Sequence, residues 1–210
     1  MKKNIPGHTI YLATDTHVVM VKVNIPEKPI GVTIMCDDQV QPEMVSRNEL
    51  VSQILNKECF ITMQIIKERS EACDGKIVLP AVLNWLEKES KYSYLPVTVF
   101  CSGRSAGNVL RASANADKRI SAIAIRSGII NLSPEELKQV NVPVLFIAAD
   151  HDIETANKIE EILPFLNISH NVKIISNATR YFTELGKLGH VVFLAVEWFR
   201  KNMINKAKTA

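Results

Sequence analysis

The chain has 210 residues, of which 47% are hydrophobic and 22% are charged, and its formal net charge is +3. These fractions are typical of a globular domain and exclude an intrinsically disordered chain. The counts of 8 glycines, 9 prolines and 4 cysteines exclude a collagen-like chain and a disulfide scaffold. The small charge predicts no nucleic-acid partner, and no apolar run approaches the roughly 20 residues of a membrane helix. The length predicts one domain over residues 1–210.

The N-terminal residues and the cysteines indicate the compartment. No apolar segment follows the two lysines near the start, so we expect a cytoplasmic protein with no secretion signal and no membrane partner. Cys36, Cys59, Cys73 and Cys101 form no C-x-x-C pair, and three of them lie in or beside apolar runs. This favours buried, reduced thiols over metal ligands. We expect no metal ion and no cofactor, because neither a clustered ligand spacing nor a glycine-rich nucleotide motif occurs.

The hydrophobic pattern predicts strands at the start and then an alternation of helices and strands. Two β-rich runs separated by Thr14-Asp15-Thr16 predict a hairpin, and Ser133 begins a capping box. The predicted strands are 8–13, 17–24, 31–36, 59–66, 97–101, 120–125, 142–149 and 172–176. The predicted helices are 43–57, 76–89, 105–116, a short one from 133, 153–163 and 185–201, followed by a basic tail from about 201.

This order predicts an α/β fold, a mostly parallel sheet with helices on both faces and an antiparallel N-terminal hairpin at one edge. In such sheets ligands bind at the carboxyl ends of the strands. We therefore expect any chemistry to lie just after the predicted strand ends at Cys36, Cys101, Ile125, Ala149 and Ser176.

The strongest motif is Gly103-Arg104-Ser105-Ala106-Gly107, between a predicted strand and a predicted helix. It matches G-x-S-x-G, in which the serine is a nucleophile held in a tight strand-to-helix turn. We interpret Ser105 as that strained serine, between glycines that avoid clashes. The Ala106 N–H would then bind a developing oxyanion, assisted by the helix N-terminus. The alternative is a glycine-lined turn in which Ser105 only caps the helix.

With this motif the sequence resembles the α/β-hydrolase family over about residues 8–200, in particular the branch similar to dienelactone hydrolase. The resemblance implies the chain order nucleophile, acid, histidine. It also implies an acid in a pattern similar to G-x-x-D, which Ala149-Asp150-His151-Asp152 supplies with alanine at the glycine. Asp152 is therefore the candidate acid. It is also a candidate helix N-cap, and the two roles are compatible.

The expected histidine is missing. The family has a segment like G-A-T-H-x-F after the last strand, and residues 177–182 read N-A-T-R-Y-F, with Arg180 at the histidine. A guanidinium stays protonated and cannot take a proton from Ser105. We expect Arg180 to lie within salt-bridge distance of Asp152 and to hold the loop in place.

A second interpretation of Arg180 is a small anion-binding pocket, formed with Ser105 and the Ala106 N–H. Arg104 and Arg126 also lie near predicted strand ends and would strengthen this pocket if they point inward. An anionic ligand is therefore an alternative to a small ester in the cleft.

The loop after the third strand is a second departure from the family. The family usually has His-Gly and more glycines there, whereas this chain has Cys36-Asp37-Asp38-Gln39. Two carboxylates near a developing oxyanion would oppose its charge, and a glycine-free backbone is less free to turn an N–H inward. Cys36 is an alternative thiol at this edge, for which the sequence indicates no base.

Only one of the 5 histidines is expected at the catalytic edge. His151 is the candidate substitute base, beside the candidate acid. His170 precedes the last strand and should lie at the opposite end of the sheet, and His190 lies in the last helix. His8 and His17 belong to the leading strands.

The sequence thus predicts an inactive or very weak serine hydrolase that keeps the nucleophile turn but lacks the catalytic histidine. The alternative is an active esterase similar to dienelactone hydrolase, in which Ser105 attacks a small ester. In that case Asp152 would orient a non-standard base such as His151.

Overall fold

The computed structural model describes residues 7–13, 18–37, 42–66, 75–88, 91–114 and 119–207. Its strands are β1 His8–Ala13, β2 Val18–Asn24, β3 Gly31–Cys36, β4 Phe60–Ile66, β5 Val97–Gly103, β6 Ile120–Gly128, β7 Val144–Ala149 and β8 His170–Ile175. Its helices are α1 Pro42–Lys57, α2 Gly75–Lys88, α3 Ser105–Ser113, α4 Pro134–Lys138, α5 Ile153–Ile162 and α6 Lys187–Ala207, with a 3₁₀ turn at Leu163–Phe165.

These strands form one sheet in the order β1-β2-β4-β3-β5-β6-β7-β8. β1 pairs with β2 and β2 with β4 in antiparallel fashion, and the remaining neighbours are parallel. The predicted mostly parallel sheet with an antiparallel edge is therefore confirmed. The predicted turn Thr14-Asp15-Thr16 and His17 lie outside the described residues.

Hydrophobic side chains cover both faces of the sheet. Every residue of β3, β5, β6 and β7 is buried, as expected for continuous apolar strands between two layers of helices. One core contains apolar residues of α2, α3 and α5, and the other contains residues of α1 and α6. This packing fixes the carboxyl ends of the central strands as one edge, where the loops can carry polar side chains.

The element boundaries differ from the prediction at two places that bear on function. β5 and β6 continue beyond their predicted ends to Gly103 and Gly128. The basic tail predicted from about 201 is instead part of α6, which continues to Ala207. Trp198 is buried against the sheet, and its carbonyl oxygen accepts a 2.8 Å hydrogen bond from Asn202, which stabilises this last part of the helix.

Two local predictions concern caps and thiols. The capping box is confirmed, since the Ser133 hydroxyl accepts from the Glu136 N–H and the Glu136 carboxylate accepts from the Ser133 N–H. Cys36 and Cys101 are buried, and burial raises the pKa of the Cys101 thiol well above its ordinary value. Cys73 lies outside the described residues. No helix in the described part of the chain has the length and apolar character to cross a membrane.

Candidate functional site

The turn from β5 to α3 has its left-handed residue at Gly103, with φ of 57°. Arg104 follows with ordinary right-handed angles, and Ser105 is the first residue of α3. The prediction that Ser105 has a strained backbone is therefore wrong. The left-handed residue lies two positions earlier in the chain, at Gly103. Glycine adopts positive φ without the steric cost of a Cβ, so the chain turns at the first glycine of the motif.

The second glycine of the motif is not required by space. A Cβ at Gly107 would meet no atom closer than the Ile129 carbonyl oxygen at 3.5 Å, which is an ordinary contact. The tight position is Gly128, at the end of β6, where a Cβ would lie 2.7 Å from the Ala106 Cβ. Sequence reasoning missed Gly128, although a glycine at a strand end is a signal of close backbone approach.

A small cavity lies at the carboxyl ends of β5 and β6. Its lining consists of residues from α1, the two strand ends and the loop after β8: Arg47, Ser102, Gly103, Arg126, Ser127, Arg180 and Tyr181. Its volume of about 10 Å³ admits roughly one water-sized molecule. Three of the lining side chains are guanidinium groups and none of the lining residues that the structure describes is a carboxylate, so this described lining is cationic.

Arg126, which lines this cavity, forms a largely buried ion pair with Asp37. Arg126 Nη2 donates to Asp37 Oδ2 at 2.9 Å and to Ser102 Oγ at 3.3 Å. Burial lowers the pKa of the Arg126 guanidinium and the Asp37 charge opposes that shift. The Asp37 carboxylate, expected to oppose an oxyanion, is thus matched by a cation, while Asp38 lies outside the described residues.

Two buried donors at this ion pair have no hydrogen-bond partner within the part of the chain that the structure describes. Among the described residues, Arg126 Nη1 and Ser127 Oγ have no hydrogen-bond partner. Both residues are 5% exposed, and both line the cavity. Ser127 also has a φ of 43°, in the left-handed region that a serine rarely adopts. A buried polar group without a partner costs about 1–3 kcal/mol, so this edge of the sheet is arranged at a cost in stability.

The candidate acid lies where the sequence predicts. Asp152 is the N-cap of α5 and accepts from the Thr155 N–H at 3.4 Å. Arg180 Nη1 lies 3.9 Å from Asp152 Oδ1, which confirms the predicted salt-bridge distance. This distance is at the long end of the salt-bridge range. The pair does not form a charge-assisted hydrogen bond, which would measure about 2.7–2.9 Å.

Asp150 holds the loop that carries Arg180, a role that the sequence analysis missed. Its carboxylate accepts from the Asn177 N–H at 2.7 Å and from the Ala178 N–H at 3.0 Å. These two N–H groups lower the pKa of the Asp150 carboxyl. An aspartate directly after a strand was a usable signal, because such side chains often bond to nearby backbone N–H groups.

The other predicted site residues are not part of the cavity lining. Ser105 and Ala106 are buried in the first turn of α3, and Arg104 is exposed. The His151 side chain is 61% exposed and lies 3.7 Å from the Asp150 carboxylate. Cys36 is buried at the end of β3.

The remaining described histidines are not part of the cavity lining, whereas Arg47 is. His170 begins β8, so it lies at the predicted opposite end of the sheet, and His190 is exposed on α6. His8 is the first residue of β1. Arg47 of α1 reaches the cavity, which sequence reasoning missed. Burial lowers the pKa of its guanidinium below the ordinary value, although the nearby Asp37 and Glu184 charges oppose that shift.

The strand order, the turn after the central strand and the loops at its carboxyl edge define an α/β-hydrolase fold. A dienelactone hydrolase structure from Anabaena variabilis has a TM-score of 0.85 with 23% identity, over 93% of this chain and 97% of that one. A lidless α/β serine hydrolase from Xanthomonas campestris has a TM-score of 0.74 with 14% identity, over 96% and 97% of the two chains. No family model matches the chain.

A curated relative has a different kind of name. A putative phosphoribosyl transferase of Mycobacterium tuberculosis is 27% identical over 190 residues, which are 84% of this chain and 42% of that protein. The chain therefore spans less than half the length of this relative. The structural likeness of this chain to the hydrolases establishes its fold, and a fold does not by itself determine a function.

Proposed function

We propose that this α/β-hydrolase-fold protein binds a ligand in its cleft and has no, or very weak, hydrolase activity. The observation that carries the proposal is Gly103, the left-handed residue of the strand-to-helix turn. In α/β hydrolases this strained turn exposes the nucleophilic serine. A glycine there has no side chain with which to attack a carbonyl carbon.

The arginine after β8 supports the same proposal. Arg180 lies 3.9 Å from the candidate acid Asp152, where the resemblance implies the histidine base. A guanidinium remains protonated and cannot act as the general base. Loss of a single catalytic-triad member lowers turnover by about 10⁶-fold in a well-studied protease, so two departures leave little activity to expect.

The alternative is an active esterase in which Ser105 attacks and His151 replaces the base. It would require Ser105 to leave its buried position in α3 and His151 to turn inward from the Asp150 carboxylate. The transferase named in the mycobacterial relative is not carried over, because the chain covers 42% of that protein.

A labelling experiment separates the two candidates. The protein and its Ser105→Ala variant are incubated with a fluorophosphonate probe and, separately, with p-nitrophenyl acetate. We expect no labelling of either protein and equal background hydrolysis. Labelling and turnover in the unaltered protein that disappear in Ser105→Ala would establish the esterase instead.

A further inference from the structure

We propose that the cavity beside Gly103 is a binding site for a phosphate group, either inorganic phosphate or the phosphate of a small monoester. This inference rests on the proposed function, because it gives the cleft a ligand to bind rather than an ester to cleave. The site is defined by three arginines and two serines of the lining: Arg47, Arg126, Arg180, Ser102 and Ser127.

The two buried donors of the lining favour the binding of a hydrogen-bond acceptor in the cavity. Arg126 Nη1 and Ser127 Oγ have no hydrogen-bond partner in the described part of the chain, and each residue is 5% exposed. Buried donors in native proteins are nearly always satisfied, so an unpaired adjacent pair calls for a bound group. Acceptor oxygens of a group bound in the cavity would meet these donors, because both residues line it.

The charges of the lining determine that the ligand is an anion. Its guanidinium groups come from three separate elements, since Arg47 lies on α1, Arg126 on β6 and Arg180 after β8. The nearby carboxylates are engaged only in part. Asp37 accepts from Arg126, and Asp152 Oδ1 accepts from the Thr155 N–H, while Asp152 Oδ2 has no hydrogen-bond partner among the described residues. An anion would therefore meet donors on several sides.

The third nearby carboxylate, Glu184, is engaged through one oxygen, and its Oε2 has no hydrogen-bond partner among the described residues. Glu184 interacts electrostatically with Arg47 and accepts from the Thr179 N–H at 3.0 Å. Since Arg180 lies 3.9 Å from Asp152 without a short contact, its guanidinium is able to turn toward the cavity. The side chain is 30% exposed, which leaves it room to move.

The number and spread of donors favour phosphate over a carboxylate. A carboxylate presents two oxygens in one plane, whereas a phosphate presents three or four oxygens in a tetrahedron and carries more charge. Guanidinium forks recognise phosphate oxygens in pairs. A volume of about 10 Å³ accepts one phosphoryl oxygen at the base, and the other oxygens would remain at the mouth beside Arg47 and Arg180. The N-terminus of α3 begins next to this cavity and adds partial positive charge.

Isothermal titration calorimetry of the full chain with inorganic phosphate, in a low-salt buffer, tests the site. Phenyl phosphate serves as the monoester and acetate as the carboxylate. We expect phosphate or phenyl phosphate to bind with Kd below about 1 mM and acetate to bind at least about tenfold more weakly. The stronger of the two phosphates identifies the source of the group.

Three variants locate the binding. Arg180→Gln should weaken phosphate binding at least about tenfold and Ser127→Ala about 3–10-fold. Arg119→Gln is the matched control, because its side chain is 34% exposed, close to the 30% of Arg180, and it precedes β6 at the opposite end of the sheet. Its affinity should be unchanged. Circular dichroism and the Tm confirm that each variant is folded.

Several outcomes would overturn the site. These are no heat of binding for the folded protein at about 10 mM phosphate, acetate binding as tightly as phosphate, or an equal loss of affinity in Arg119→Gln. Hydrolysis of p-nitrophenyl acetate, measured on the same samples, reports separately on the proposed function. A protein that neither binds phosphate nor hydrolyses the ester contradicts the phosphate site alone.

Discussion

The two arginine–carboxylate pairs of the cleft differ in burial and in geometry. Arg126 and Asp37 are joined at 2.9 Å with side chains 6% and 13% exposed. Arg180 and Asp152 are 3.9 Å apart, with side chains 30% and 7% exposed. A desolvated, hydrogen-bonded pair is part of the core, whereas a long, partly solvated pair contributes little to stability. The first pair therefore positions the site, and the second leaves an arginine available to a ligand.

Removing one partner of the buried pair should give the largest effect. Arg126→Met leaves the Asp37 carboxylate without its 2.9 Å donor in a buried place. We expect a loss of about 3–5 kcal/mol in the free energy of unfolding, measured by urea denaturation. The double variant Arg126→Met/Asp37→Leu should recover much of this loss, since both charges of the pair are then removed. An equal loss in both variants would mean that Arg126 matters through packing rather than through its charge.

Substitution of the turn residue Gly103 should give the next largest effect. Gly103→Ser places a side chain at a φ of 57°, which costs about 1–2 kcal/mol for a residue with a Cβ. Combined with Arg180→His it supplies both a nucleophile and a base near Asp152. We expect hydrolysis of p-nitrophenyl acetate in the double variant and none in Arg180→His. Activity in Arg180→His that Ser105→Ala abolishes would return the nucleophile to Ser105.

Removal of Arg180 from the longer, half-buried pair should have a weak effect. Arg180→Gln removes a contact of 3.9 Å, and we expect a change of at most about 1 kcal/mol in the free energy of unfolding. The measurement is urea denaturation beside Arg126→Met. A loss as large as that of Arg126→Met would remove the distinction between the two pairs, and with it the argument that Arg180 is available to a ligand.

The sequence predicts the fold and part of the site for physical reasons. Continuous apolar runs identify the buried parallel strands. Asp152 and Arg180 are close in space because they follow the carboxyl ends of two neighbouring strands, β7 and β8. The sequence did not identify the left-handed residue of the turn between β5 and α3, because both Gly103 and Ser105 fit a strand followed by a helix. Only the preference of glycine for positive φ distinguishes them. Arg126 and Asp37 are 89 residues apart, and no local pattern joins them.

The smallest effect concerns the loop that carries Arg180. The N–H groups of Asn177 and Ala178 lower the pKa of Asp150 in the folded protein below its ordinary value of about 3.9. Its carboxylate therefore adds stability above that ordinary value, and this contribution is lost as the pH falls through the lowered pKa. Asp150→Asn should lower the Tm at pH 7 and flatten its fall toward acid. An Asn variant whose Tm falls as steeply below about pH 4 as that of the unaltered protein would show that other carboxylates dominate acid unfolding.

Since Asp150 also holds the backbone beside Arg180, a weaker phosphate affinity in Asp150→Asn would indicate that the availability of this arginine depends on how firmly its loop is held.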